Sequence, residues 1–223
     1  MGSAIHLRSA MALLGRFPAL AGVDLDVSQG EIVLVEGPNG AGKTSLLRAC
    51  AGLLRLSAGS GTVLGVDLSK GGRPRGVGFL GHSAGLYDDL NPRENVEFRA
   101  RLWGIPPAGA AAALERVGLE GRLQNVTVAQ LSAGQRRRVG LAALAVVRPR
   151  LWLLDEPHAG LDASAREQLD SVLGEAAAEG AAILLASHEI EHVGRIVSRS
   201  VCIDRGRIAL EPAELTTDSV HVA

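Results

Sequence analysis

No hydrophobic run in this sequence is long enough to cross a bilayer. About 20 consecutive apolar residues are needed. The strongest candidates, 141–147 and 151–154, are short and are separated by Arg148, Pro149 and Arg150. Any role at a membrane therefore requires other subunits. The opening stretch Met1-Gly2-Ser3-Ala4-Ile5-His6 lacks the basic-then-apolar pattern of a secretory signal. His6 also stands where a myristoylation motif needs Ser or Thr. Cysteine is scarce: Cys50 and Cys202 have no metal-type or CxxC spacing. They are expected to be small buried residues in a reducing compartment. A net charge of −1 supplies no overall attraction for nucleic acid. The local exception, Arg136-Arg137-Arg138, reads as a solvated helix face beside a functional loop. Aromatics make up only 3%, so the core must come from Leu, Val, Ile and Ala. Lysine is nearly absent: of 23 basic residues only Lys43 and Lys70 are lysine, which makes each one informative.

What remains is a chain of 223 residues with 47% hydrophobic content, enough for one domain with a substantial core. It shows neither an internal repeat nor a long linker. Residues 5–36 read as strands and turns ending in the buried-strand run Ile32-Val33-Leu34-Val35. Glycine-rich residues 37–42 follow, then apolar residues at helical spacing over 44–54 with Gly52 near the end. Residues 69–78 form a turn-rich break, and the pattern is helical from about 92 to 148. Strand-like runs return at 151–154, 182–186 and 200–203, alternating with helical stretches at about 163–179 and 188–198. Such alternation predicts an α/β fold with a mainly parallel sheet. Asp204-Arg205-Gly206-Arg207 reads as a hairpin turn, and 212–223 as a loose polar tail.

Gly37-Pro38-Asn39-Gly40-Ala41-Gly42-Lys43-Thr44 fits the P-loop pattern GxxxxGK(S/T). Glycines let successive backbone N–H groups converge on phosphate oxygens, and the following helix points its N-terminus at the anion. Lys43 would bring positive charge to the β- and γ-phosphates of ATP, and the Thr44 hydroxyl would ligate Mg²⁺, with Ser45 beside it. Downstream, Leu151-Trp152-Leu153-Leu154 ends in Asp155-Glu156. A hydrophobic strand closing on two acids sets them at the carboxyl edge of a sheet, where α/β proteins bind ligands. Asp155 is the candidate Mg²⁺ holder, and Glu156 the candidate base for an attacking water.

Between these halves lies Leu131-Ser132-Ala133-Gly134-Gln135, which resembles the LSGGQ signature of ABC ATPases, with Ala133 replacing the first Gly. Ala159-Gly160-Leu161-Asp162 resembles the family's D-loop, and Ser187-His188 its H-loop. The resemblance covers about residues 5–210. It implies a P-loop NTPase of ABC type with an antiparallel β subdomain and an inserted helical subdomain. The ATP-binding core would comprise about 1–82 and 135–210, and the helical subdomain about 83–134. It also implies that His188 contacts the γ-phosphate. Ser132, Gly134 and Gln135 would complete the P-loop site of a second nucleotide-binding domain in a head-to-tail homodimer. Integral membrane transporter subunits are the further partners implied, with this chain on the cytoplasmic face of the membrane.

Two positions depart from the family pattern. The aromatic that stacks on adenine falls at Leu14, with Phe17 nearby as the alternative. The Q-loop glutamine, which reaches Mg²⁺ and couples to the membrane subunits, falls at His82, twelve residues before Glu94-Asn95. Phe79-Leu80-Gly81-His82, Leu131–Arg138 and Leu151–Pro157 are together similar to the ATPase subunit of the haem exporter used in cytochrome c maturation. The chain has no CxxCH, so haem is not expected to bind it. An exporter ATPase for a drug or lipid remains the alternative, because the membrane subunits choose cargo. A soluble ABC ATPase would be separated from both by its partners. A P-loop GTPase is disfavoured by the lack of an NKxD-like motif.

Overall fold

The computed structural model describes residues 2–188 and 195–209. The expected helix over about 188–198 falls mostly on residues outside this range, as does the whole 212–223 tail.

The sheet that positions the site has six strands. β3 (Ile32–Glu36), β6 (Val77–Leu80), β7 (Leu151–Asp155), β8 (Ala182–Ala186), β9 (Arg199–Asp204) and β10 (Arg207–Ala209) lie in the order β10-β9-β3-β8-β7-β6. Every pairing is parallel except the β9–β10 hairpin. Strands β3, β7 and β8 are apolar along nearly their whole length, as a sheet covered on both faces requires. Alternate residues feed two cores. Val33, Val35, Leu151, Leu153, Leu184 and Ala186 pack with helix α1 (Lys43–Cys50) on one face. Ile32, Leu34, Trp152, Leu154, Ile183 and Leu185 pack on the other with α3 (Ala110–Glu115), α4 (Ala133–Val147) and α5 (Ala163–Ala178). Cys50 is buried in the first core, and that burial pushes its thiol up to about 12. Cys202 is only half-buried, contrary to the expectation for both cysteines, because it sits near the hairpin end of β9.

A second sheet is antiparallel: β1 (Ser3–Leu14) and β2 (Phe17–Ser28) pair along most of their length, and β4 (Leu56–Val63) and β5 (Val66–Asp67) extend it in the order β2-β1-β4-β5. β4, with the sequence Leu-Ser-Ala-Gly-Ser-Gly-Thr-Val, has little intrinsic strand character. Its conformation comes from pairing with β1. Helix α2 (Pro92–Leu102) starts on a capping box, with Asn91 accepting from the Glu94 N–H and Glu94 accepting from that of Asn91, and Pro92 fills its first turn.

Candidate functional site

In parallel register, the carboxyl ends of β3, β8, β7 and β6 lie side by side: Val35 pairs with Ala186, Ala186 with Asp155, and Leu154 with Leu80. The segments leaving those ends are 37–42, Ser187-His188, Glu156 and Gly81-His82. Four stretches far apart in sequence therefore meet along one sheet edge, the place where open α/β sheets bind ligands.

The loop after β3 has no room for a side chain at Gly37 or Gly42. Gly37 has a φ of 143°, and a Cβ there would overlap the carbonyl oxygen of Ile203. The loop is pinned to the hairpin turn by the Gly206 N–H donating to the Ala41 carbonyl at 2.7 Å. Gly42, with a φ of 115°, precedes α1 and contributes no side-chain cap, and the first turn of α1 carries no acid. The helix start therefore keeps backbone N–H donors for an anion. Lys43 is buried, and its Nζ donates to the carbonyls of Gly37 (2.6 Å) and Pro38 (3.2 Å), which lays the ammonium across the loop.

Asp155 closes β7, and its Oδ2 accepts from the Thr44 hydroxyl at 2.8 Å. Two hard oxygen donors in contact suit Mg²⁺, which takes one or two protein ligands and the substrate's phosphates. Among the described residues there is no cluster of three or more His, Cys, Asp or Glu side chains that would make a self-sufficient metal cage. The residues present thus fit a nucleotide-borne Mg²⁺. Glu156 leaves the strand at a φ of 50°, its N–H bonded to the Ala186 carbonyl at 2.8 Å. That left-handed residue breaks the strand's alternation, so Asp155 turns to Thr44 while Glu156 turns to the end of β8. There Glu156 accepts from His188 Nδ1 (2.8 Å), the Ser187 hydroxyl (3.3 Å) and the His188 N–H (3.4 Å).

A cleft of about 510 Å³ collects Asn39, Gly40, Gly42, Lys43, Thr44, Ser45, Asp155, Glu156 and His82. Gly37, Pro38 and Ala41 belong to the same loop but do not line the cleft, and His188 is joined to it through Glu156. Leu14 and Phe17 both reach the rim, Phe17 being 79% exposed.

Ser132, Gly134 and Gln135 do not line this cleft. Ser132 is the N-cap of α4: its hydroxyl accepts from the Gln135 N–H (3.2 Å), and the Gln135 side chain accepts from the Ser132 N–H (2.9 Å). A Cβ at Gly134 would lie 2.5 Å from the Gly160 carbonyl oxygen, so only glycine allows this approach of the two loops. Asp162 in turn caps α5, accepting from the Ala165 N–H at 2.8 Å.

The basic run 136–138 departs from the solvated face expected of it. Arg137 is buried, and its guanidinium donates to the carbonyls of Gly81 (3.1 Å) and Asp155 (2.9 Å), tying α4 to the ends of β6 and β7. Burial pushes its pKa down from the usual guanidinium value, while Asp155 and Glu156 oppose the shift. Arg136 and Arg138 bind nearby carbonyls as well. Three consecutive residues on a helix of 3.6 residues per turn cannot share one face, and that was the signal available. A second residue the sequence reading passed over is His158, buried and 2.8 Å from Asp170.

A family model described as ABC transporter matches residues 20–159. A Bordetella bronchiseptica protein named cytochrome c biogenesis ATP-binding export protein CcmA is 41% identical over 186 residues, 82% of this chain and 83% of its own. A protein of the same name from Xanthomonas axonopodis pv. citri is 41% identical over 172 residues, 77% and 80% of the two chains. Among solved structures, an ATP-binding subunit of an ABC transporter superposes with a TM-score of 0.82 at 26% identity, covering 93% of this chain and 88% of that one. A dimeric ATP-binding cassette in a post-hydrolysis state with ADP and Pi has the same fold, with a TM-score of 0.82 at 23% identity, covering 92% and 97%.

Proposed function

The chain belongs to the ABC transporter family and is one of its ATPases, and from that premise we propose that it powers haem export in cytochrome c biogenesis. The observation that carries the pathway is the 41% identity, over about four fifths of both chains, to proteins named as ATP-binding export proteins of cytochrome c biogenesis. The replacement of the Q-loop glutamine by His82 in the same cleft supports it.

In the proposed cycle the N–H groups of 39–45 and the Lys43 ammonium bind the β- and γ-phosphates of ATP. Thr44 and Asp155 would hold Mg²⁺, with His82 of the same cleft as the further candidate. The metal's contribution is to neutralise phosphate charge. Glu156 orients a water and takes its proton, the water oxygen bonds to the γ-phosphorus, and the bond from that phosphorus to the ADP oxygen breaks. His188, hydrogen-bonded to Glu156, faces the γ-phosphate, so the base and its neighbour are held together before the reaction. Catalysis then rests on positioning and charge stabilisation rather than on a covalent intermediate. Adenine would rest against Leu14 or Phe17 at the rim.

Ser132, Gly134 and Gln135 stand outside the cleft of their own chain, which supports their use on the nucleotide of a second copy. None of the helices among the described residues is long and apolar enough to cross a membrane. Transport would then depend on separate integral membrane subunits, with this chain held on the cytoplasmic face and its helical region, about 83–134, turned towards them. An ABC ATPase for another cargo would use the same chemistry and differ only in partners. Affinity capture of the tagged chain from membranes of its native cell, with mass spectrometry, tests this. Recovery of integral membrane proteins of cytochrome c maturation is expected. An unrelated permease would discard haem and keep the motor, and exclusively soluble partners would overturn the transport reading.

A further inference from the structure

His158 stands two residues after Glu156 and is 1% exposed, one of the few polar side chains buried among the described residues. Its Nε2 lies 2.8 Å from Asp170 Oδ1, on the second turn of α5. The carboxylate accepts, so Nε2 carries the proton. Nδ1 is buried and has no partner among the described residues. An unsatisfied buried polar atom costs about 1–3 kcal/mol. A leucine in this place would fill space without that penalty, so packing alone does not account for a histidine.

What the pair does is geometric. The turn that carries Glu156 is closed by the Ala159 N–H donating to the Glu156 carbonyl and the Leu161 N–H donating to the His158 carbonyl, both at 3.1 Å. Glu156 itself is held in a left-handed conformation, φ 50°, which for a non-glycine residue persists only where its surroundings enforce it. The turn then runs into α5 through its Asp162 cap. The His158–Asp170 bond closes this path on itself, clamping the turn against the helix it leads into. On its outer side the same turn presents the Gly160 carbonyl, against which Gly134 packs.

We propose that His158 is a positioning residue for ATP hydrolysis: its bond to Asp170 fixes the 156–161 turn on α5, so that the Glu156 carboxylate and the Gly160–Gly134 contact move as one body. This rests on the reading of Glu156 as the group that takes the water's proton. His158 does not line the nucleotide cleft, so its loss should leave nucleotide affinity alone and lower the rate of the chemical step.

The test compares kcat and KM for ATP in the full chain, purified with the membrane partners it captures. His158→Leu should lower kcat by about 10²-fold, the scale of a misplaced reacting group, with KM unchanged. His158→Gln, whose amide N–H can reach Asp170, should recover most of that loss. Asp170→Ala, on the partly exposed side of the pair, should reproduce the His158→Leu loss and covers the case in which the leucine variant does not fold. Wild-type kcat in Asp170→Ala, or a glutamine variant no better than leucine, overturns the proposal. Glu156→Gln in the same assay separates the two claims. Loss of turnover there with wild-type kcat in Asp170→Ala defeats the positioning role alone, whereas retained turnover removes the base and the proposal with it.

Discussion

Two helices of this chain begin on small residues beside a functional loop, and they begin in opposite states. α1 starts after Gly42 with no side-chain cap and no acid in its first turn, so its orphan N–H groups remain for a ligand. α4 starts at Ser132 with a closed capping box, so two of its donors are already engaged within the chain. The first is an anion site in waiting. The second is a finished helix end, made rigid and held against the Gly160 carbonyl. On the proposed reading, this difference would let the P-loop bind nucleotide in a lone chain, while the signature would serve a nucleotide only when a second copy's P-loop is brought to it.

The largest effects should separate these two helix starts in binding. Lys43→Ala should weaken ATP binding to the isolated chain and cut turnover by about 10²–10³-fold, as removal of a preorganised charge-stabilising donor does. Ser132→Ala should leave nucleotide affinity of the isolated chain unchanged, and cost about 1 kcal/mol of stability through the lost cap. Fluorescent-nucleotide titration and thermal melting read the two. Equal losses of affinity would erase the distinction.

A smaller contrast concerns the glycines. Gly37→Ala meets the Ile203 backbone at a positive φ and should destabilise the fold by roughly 2–4 kcal/mol. Gly134→Ala meets only the Gly160 carbonyl, so roughly 1–3 kcal/mol is expected. Denaturant unfolding ranks them, and the reverse order would mean that the signature loop, not the P-loop, is the tighter construction.

The smallest effect lies outside both helix starts and serves as their control. Asp26 accepts from Arg8 at 2.7 Å and from His6 at 2.6 Å, and the Arg8 bond chiefly holds its carboxyl below the usual carboxylate range. A depressed folded-state value stabilises above the unfolded pKa, and that contribution is lost as pH falls through the folded one. Because the pair is exposed, it should be worth no more than about 1 kcal/mol. Asp26→Asn should lower the melting temperature slightly at neutral pH and not at all in strong acid, with ATP turnover untouched at either helix start.

The parts of the site legible in the sequence are those where chemistry dictates residue type. A loop that must admit phosphate needs Gly37, Gly40 and Gly42, and a strand that must present acids ends in Asp155-Glu156. What the sequence hides is set by tertiary pairing. β4 is a strand only because β1 lies beside it, and β6, partly read as a turn-rich break, is a strand because β7 does. The direction of Glu156 depends on one left-handed residue that no periodicity announces. Arg137 and His158 show the same limit: a polar residue bound for the interior looks like any other until its acceptors, the Gly81 and Asp155 carbonyls or Asp170, are brought to it from elsewhere in the chain. The Ser132-x-x-Gln135 cap is the exception, a local pattern readable from spacing alone.

The central claim, a P-loop site completed by the signature of a second copy, is tested most directly by sedimentation velocity of Glu156→Gln with and without saturating MgATP. Blocked turnover should trap the closed state, so the variant should sediment as a monomer without nucleotide and as a dimer with it. A variant that binds ATP yet stays monomeric at saturation would contradict the account.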